Sequence, residues 1–270
     1  MRSGMMKRGL GILTSLLPGA QSARRFERNM KECAVSDQGP SDFDVVEDNE
    51  QVRLEKNLEY CAVPEQWCSY FEMAEGWMQE SWEKIIWPMI RGADFSNVLE
   101  IGPGAGRNTA MLAQHAKEIH CVDLNEYPLH KCRERFANYP GACVFHFHQN
   151  DGHTLPMIRD GSISMIYSWD SMVHCSKEVM HSYIREFGRV LRVDGFGFIH
   201  HSNFGEASSK RSFKENPHWR TDMSKPLFAQ YCGRSGLRCV EQKVIDWVEA
   251  RNLDCISTFT KGSESGFTGA

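Results

Sequence analysis

The chain has 270 residues, enough for one α/β domain of ordinary size plus roughly 70 to 90 residues of further structure. Lys and Arg number 31 against 35 Asp and Glu, so the formal charge of -4 is close to neutral and gives no reason to expect nucleic acid. No run of about 18 apolar residues is present, which argues against a membrane-spanning helix.

The chain opens on a leader, 1–26, with no acid, five basic residues and an apolar run from Leu10 to Leu17. It reads as a transit or secretory peptide, as a basic amphipathic helix in weak contact with a membrane surface, or as an unstructured leader. Residues 27–64 are polar and acidic, broken by Ser36 to Pro40 and by the acidic run Asp42 to Glu50, as in a linker or loosely packed extension. From Glu65 the aromatics rise: Trp67, Tyr70, Phe71, Trp77, Trp82 and Trp87. Trp82, Ile85, Ile86 and Met89 recur at helical spacing, and Pro88 should kink or end that helix. Residues 65–92 therefore read as an aromatic-rich helical cap.

The stretch Asn97-Val-Leu-Glu-Ile-Gly-Pro-Gly-Ala-Gly-Arg-Asn108 organises the rest of the chain. Val98, Leu99 and Ile101 suit a strand buried on both faces; Gly102, Gly104 and Gly106 make a turn; a helical pattern resumes through Met111 and Leu112. Strand, glycine turn and helix place a ligand at a helix N-terminus, outside the carboxyl end of a parallel strand. A second strand, Glu118 to Val122, ends in Asp123, 21 residues beyond Gly102, where an acid can receive two ribose hydroxyls. Alternatively Asp123 caps the helix from Glu126 to Phe136. A third strand, Cys143 to Gln149, leads into Asn150-Asp151-Gly152. His146 and His148 share a face of it, as a metal pair would, but with no third ligand evident nearby no metal is expected.

A fourth strand, Ile163 to Trp169, runs into Asp170-Ser-Met-Val-His174. A helix from Lys177 to Leu191 comes next, then the turn Arg192 to Gly195 and a fifth strand, Phe196 to Ile199, ending in His200-His201-Ser-Asn203. After a loop of mixed charge, Glu206 to Arg220, come a helix near Ser224 to Ser235 and strands over Leu237 to Trp247 and Asp254 to Thr260. The ten cysteines include no C-x-x-C pair; Cys61 and Cys68, like Cys232 and Cys239, are seven apart, which is no zinc spacing. They read as reduced thiols in a cytoplasm-like compartment.

The motif Glu100-x-Gly102-x-Gly104-x-Gly106 resembles the first motif of class I S-adenosylmethionine-dependent methyltransferases, and Arg189 to Gly195 resembles their Arg-Val-Leu-Lys-Pro-Gly-Gly turn, with Val193 and Asp194 in place of Pro-Gly. The resemblance covers about 95–260. It implies a doubly wound, seven-stranded Rossmann-like sheet over 93–262 with an antiparallel closing pair, an N-terminal helical extension and a short tail, 263–270. It also implies S-adenosylmethionine as cofactor and S-adenosylhomocysteine as product. The expected cofactor contacts are Glu100 (toward the amino group), Gly102, Gly104, Gly106, Asp123, Leu124, Asp151, Gly152, Ser168 and Trp169. The helical cap would then cover the cleft, with Trp82 on the substrate side.

The segments Ser168 to His174 and Phe198 to Asn203 are similar to a bacterial subgroup associated with glycan and glycoside O-methylation. That similarity implies a sugar, glycoside or other small hydroxylated acceptor. A hydroxyl needs a base, and His174 is the first candidate, with Asp170 orienting it or the acceptor. His201 is the fallback, with His200 and Asn203 as substrate contacts; only one of the adjacent histidines can face the cleft. Other readings are N-methylation of a small amine, a nicotinamide-dependent oxidoreductase and an inactive binding module. The absent G-x-G-x-x-G spacing and the closing strand pair weigh against the oxidoreductase. A complete set of cofactor residues weighs against the inactive module.

Overall fold

The computed structural model describes residues 74–207, 220–247 and 250–262. The leader over 1–26, the linker over 27–64, the start of the cap and the tail over 263–270 lie outside these residues. The strands are β1 Val98–Ile101, β2 Glu118–Asp123, β3 Val144–Gln149, β4 Ile163–Ser168, β5 Leu191–Ser202, β6 Arg238–Trp247 and β7 Ala250–Thr260. They form one seven-stranded sheet in the order β3-β2-β1-β4-β5-β7-β6. The first five are parallel, and β7 runs antiparallel to both β5 and β6. This is the expected doubly wound α/β sheet with its closing pair.

Burial is a consequence of that order. Every residue of β1 and β4 is buried, because central parallel strands are covered on both faces. On one face lie a helix over 74–90 (α1), α2 Arg107–Leu112 and α3 Glu126–Phe136, which bring Met78, Trp82, Ile86, Leu112, Leu129 and Phe136 against Val98, Ile119 and Cys121. On the other lie α4 Lys177–Val190 and α5 Lys225–Arg234. In α4 the apolar positions Val179, Met180, Tyr183, Ile184, Phe187 and Val190 form one stripe against the sheet. Ser176 starts that helix, its Oγ accepting the Val179 N–H at 3.3 Å.

Three boundaries differ from the sequence reading, each for a local reason. Pro88 does not end α1. It has no N–H for the Lys84 carbonyl, so the helix widens into a π turn, Trp82–Ile86, closed by the Trp87 N–H on the Trp82 carbonyl, and then runs on to Ile90. Second, β5 begins at Leu191, because residues 192–195 form an irregular stretch within the strand where the register to β4 slips between Ile163 and Met165. Asp194 there takes φ +61°, a conformation that a glycine at that position would hold without strain. Third, β7 begins at Ala250 and pairs back to Trp247, which makes β6 and β7 a hairpin.

Among the described residues, the connection from β3 to β4 carries no helix. Leu155 and Ile158 of that loop enter the core instead, and Arg189 of α4 fastens it. Its Nη2 donates to the Leu155 carbonyl at 2.7 Å and its Nη1 to the Ile158 carbonyl at 2.9 Å. No described helix is long and apolar enough to cross a membrane.

Candidate active site

The carboxyl ends of β1, β2 and β4 open together above the glycine turn. Gly102, Gly104 and Gly106 take φ of +69°, +55° and +85°, a left-handed run that only glycines hold without strain. A Cβ on Gly102 would lie 1.9 Å from Ser171 Oγ, so the turn presses against the segment after β4 and presents bare backbone. Asp123 closes the end of β2. Its Oδ1 accepts the Asn125 N–H at 2.9 Å, and the N–H groups of Gly104 and Leu124 also face its carboxylate. Burial pushes this carboxyl up to about 6, against the pull of those amides. Bare amides and a half-buried acid fit the nucleoside end of the expected cofactor, whose ribose offers two hydroxyl donors. The helix cap at this point is Asn125 rather than Asp123.

Glu100 occupies a different place from the one expected. Its carboxylate is buried beneath the turn and accepts the Thr109 hydroxyl at 2.7 Å, so it locks β1 to the first turn of α2 rather than facing an amino group. Burial pushes its pKa up to about 7, while Thr109 and Arg107 pull the other way. The consequence is a pH-dependent stability. Between the ordinary carboxylate range and pH 7 the folded chain holds a proton that the unfolded chain has lost, so this contribution is gained as pH falls through 7 and is absent above it. Glu100→Gln keeps an acceptor for Thr109 without the buried charge. Its unfolding midpoint relative to wild type should be highest at pH 8 and should fall back below pH 6. A difference that does not vary between pH 8 and 5.5 would contradict this.

The other expected cofactor residues divide between loop and core. Leu124 is half-buried, and its carbonyl accepts Gln149 Nε2 at 3.1 Å. Asp151 is exposed and turns its carboxylate into its own loop, where Oδ1 accepts the N–H groups of His153 at 3.0 Å and Thr154 at 2.7 Å. Gly152 is buried at φ +86° with its N–H on Asn150 Oδ1 at 3.1 Å. Ser168 is buried, and its hydroxyl donates to the Ile101 carbonyl at 2.9 Å, so it ties β4 to β1 instead of facing a ligand. Trp169 is buried over His200, ring centroids 4.4 Å apart.

The histidines separate sharply. His200 and His201 point to opposite faces of β5 and both are fully buried. Nδ1 of His201 donates to the Ser202 carbonyl at 2.8 Å, and its Nε2 therefore accepts from Ser257 Oγ at 2.8 Å. Its ring also stacks on Phe228 at 4.3 Å, and burial holds its pKa near 4. With both nitrogens engaged inside the core, His201 is no fallback base. His200 accepts the Asp170 backbone N–H on Nδ1 at 3.2 Å, which leaves Nε2 to donate to Asp254 Oδ2 at 3.1 Å. It clamps the end of β4 rather than contacting an acceptor. Asn203 is structural too: Nδ2 donates to the Asn252 carbonyl at 3.1 Å and Oδ1 accepts the Lys225 N–H at 2.9 Å. Trp82 is buried in the core, its ring 5.8 Å from Trp87 and 6.3 Å from His115, away from a substrate role. Of the three candidate histidines His174 alone is exposed, at the end of the 3₁₀ turn Met172–His174.

Arg107, Arg220 and Asp254 also shape this region, and the sequence reading assigns them no role. Arg107, the first residue of α2, donates from Nη2 to Asp170 Oδ2 at 2.8 Å and so links the glycine turn to the end of β4. Asp170 sits at φ +58°. Arg220 grips Asp254 with Nε at 2.8 Å and Nη2 at 2.6 Å, both side chains buried. Of these partners, Asp170 is already a candidate in the sequence and Arg107 has a signal in its position directly after the glycines; Arg220 and Asp254 have none.

Residues 98–195 match the family model described as a methyltransferase domain, so the chain carries such a domain over about a third of its length. None of the curated proteins compared matches it. Solved structures share the fold at low identity. A protein from Pyrococcus horikoshii is 16% identical at a TM-score of 0.53, covering 67% of this chain and 88% of its own. An S-adenosylmethionine-dependent methyltransferase from Mesorhizobium loti is 13% identical at 0.53, covering 65% and 97%. A SAM-dependent methyltransferase from Methanosarcina mazei is 16% identical at 0.54, covering 66% and 98%.

Proposed function

We propose that this chain, a methyltransferase that uses S-adenosylmethionine, methylates a hydroxyl on a sugar, glycoside or other small acceptor, with His174 as general base. When bound, the cofactor supplies an electrophilic methyl group on a sulfonium. The chain's residues hold and orient. The turn at Gly102 to Gly106 offers its amides, Asp123 accepts the ribose hydroxyls, and the Arg107–Asp170 pair fixes the segment after β4 against the turn. His174 accepts the acceptor's proton on a ring nitrogen, as a hydroxyl requires and a neutral amine does not.

One observation carries the choice of base: His174 is exposed, whereas His200 and His201 are fully buried in the core. The acceptor is a small molecule or glycan rather than nucleic acid, the basic leader is the segment that would make any weak membrane-surface contact, and a cytoplasmic setting agrees with the free cysteines among the described residues. The test is transfer of labelled methyl from S-adenosylmethionine to parallel panels of hydroxylated and amine acceptors. Label in the hydroxylated panel supports the reading. Label confined to amines would replace it with N-methylation.

Asp123→Ala should weaken S-adenosylhomocysteine binding by about 1–3 kcal/mol, since the ribose hydroxyls lose their acceptor. Calorimetry on the folded variant checks this, and unchanged affinity would remove Asp123 from the site.

A further inference from the structure

We propose that Glu118, His120 and His146 form a zinc site on the β2–β3 edge of the sheet, outside the methyl-transfer cleft. In the sequence only His146 and His148 stand out, without a third ligand; the strand register supplies it. His120 lies directly opposite His146, and Glu118 shares the face of His120 because it is two residues away on the same strand.

Ligand atoms from the three side chains all lie within 4.8 Å of one another. His146 Nε2 is 3.3 Å from Glu118 Oε2, and the His120 and His146 rings stack with centroids 4.5 Å apart. Bonds of about 2.0–2.2 Å to a tetrahedral zinc set its ligands roughly 3.3–3.6 Å apart. One pair already has that separation, and side-chain torsions close the rest. His148 completes the patch, with Nε2 3.2 Å from His120 Nδ1, where it can orient the His120 ring as metal-bound imidazoles require. Two imidazoles and one carboxylate, with a position left for water, are a donor set that suits zinc. The patch is reachable: the side chains of His146 and Glu118 are 38% and 49% exposed.

The test is calorimetric titration of the full chain, stripped of metal and kept reduced by a phosphine, with zinc chloride. One zinc should bind with micromolar or tighter affinity. Glu118→Gln and His146→Ala alter half-exposed side chains, so both should fold; each should weaken binding at least tenfold. Cobalt(II) in place of zinc should give the visible bands of a four-coordinate ion without a thiolate charge-transfer band. Absence of zinc binding, wild-type affinity in either variant, or a thiolate band placing the metal on cysteines would each overturn the proposal.

Discussion

Asp254→Ala should lower folding stability by about 3–5 kcal/mol, the usual consequence of removing one partner from a buried charge pair. Asp254 is fully buried at the start of the segment of β7 that faces β5, where it takes two donors from Arg220 and one from His200. Burial alone would raise its pKa; His200 and Arg220 instead hold it well below the usual carboxylate range. Its removal takes both carboxylate acceptors from the buried Arg220 guanidinium, which packs 5.0 Å from the Trp247 ring. It also frees His200, which positions the Asp170 backbone. Asp254→Asn should fall between the two, because an amide oxygen still accepts hydrogen bonds but carries no charge. The lowered pKa sets the sign of the pH effect: the contribution is complete above the ordinary carboxylate range and is lost as pH falls toward the native value. Denaturant unfolding at pH 7 measures it, and a loss under about 1 kcal/mol would show that the pair is dispensable.

His174→Ala should cut turnover about 10²-fold while leaving cofactor affinity nearly unchanged. A hydroxyl is a poor nucleophile until its proton has a destination, and a factor of that size corresponds to about 2.7 kcal/mol of barrier. Wild-type turnover should rise with pH through the range in which an imidazole loses its proton, and the variant should lack that limb. Turnover within a few-fold of wild type would point to an acceptor that needs no base, since His200 and His201 are sealed in the core.

The fold is legible in the sequence because the apolar runs at Val98, Ile163 and Phe196 and the glycine turn are local signals, each readable within a dozen residues. What the sequence hides is pairwise. That Glu100 reaches Thr109, Arg107 reaches Asp170 and Arg220 reaches Asp254 depends on which elements meet, and no spacing in the chain encodes it. The adjacent histidines show both sides of this. Alternation along a strand dictates that they face opposite ways, but only the partners across β7 and α5 reveal that both are buried. Likewise Glu118 and His120 look like ordinary strand residues until the register sets them beside His146. Trp82 misleads because helical spacing of aromatics is the same for a cleft-lining helix and for one packed into the core.

The most direct test of the cofactor site is calorimetric titration of the wild-type chain with S-adenosylhomocysteine at pH 8 and pH 5. With Asp123 titrating near 6, its ionised carboxylate accepts the ribose hydroxyls at pH 8 and its protonated form accepts them poorly at pH 5. One-site binding at pH 8 that weakens clearly at pH 5 is the expected result; no binding at either pH would contradict the assignment of this cleft to the cofactor.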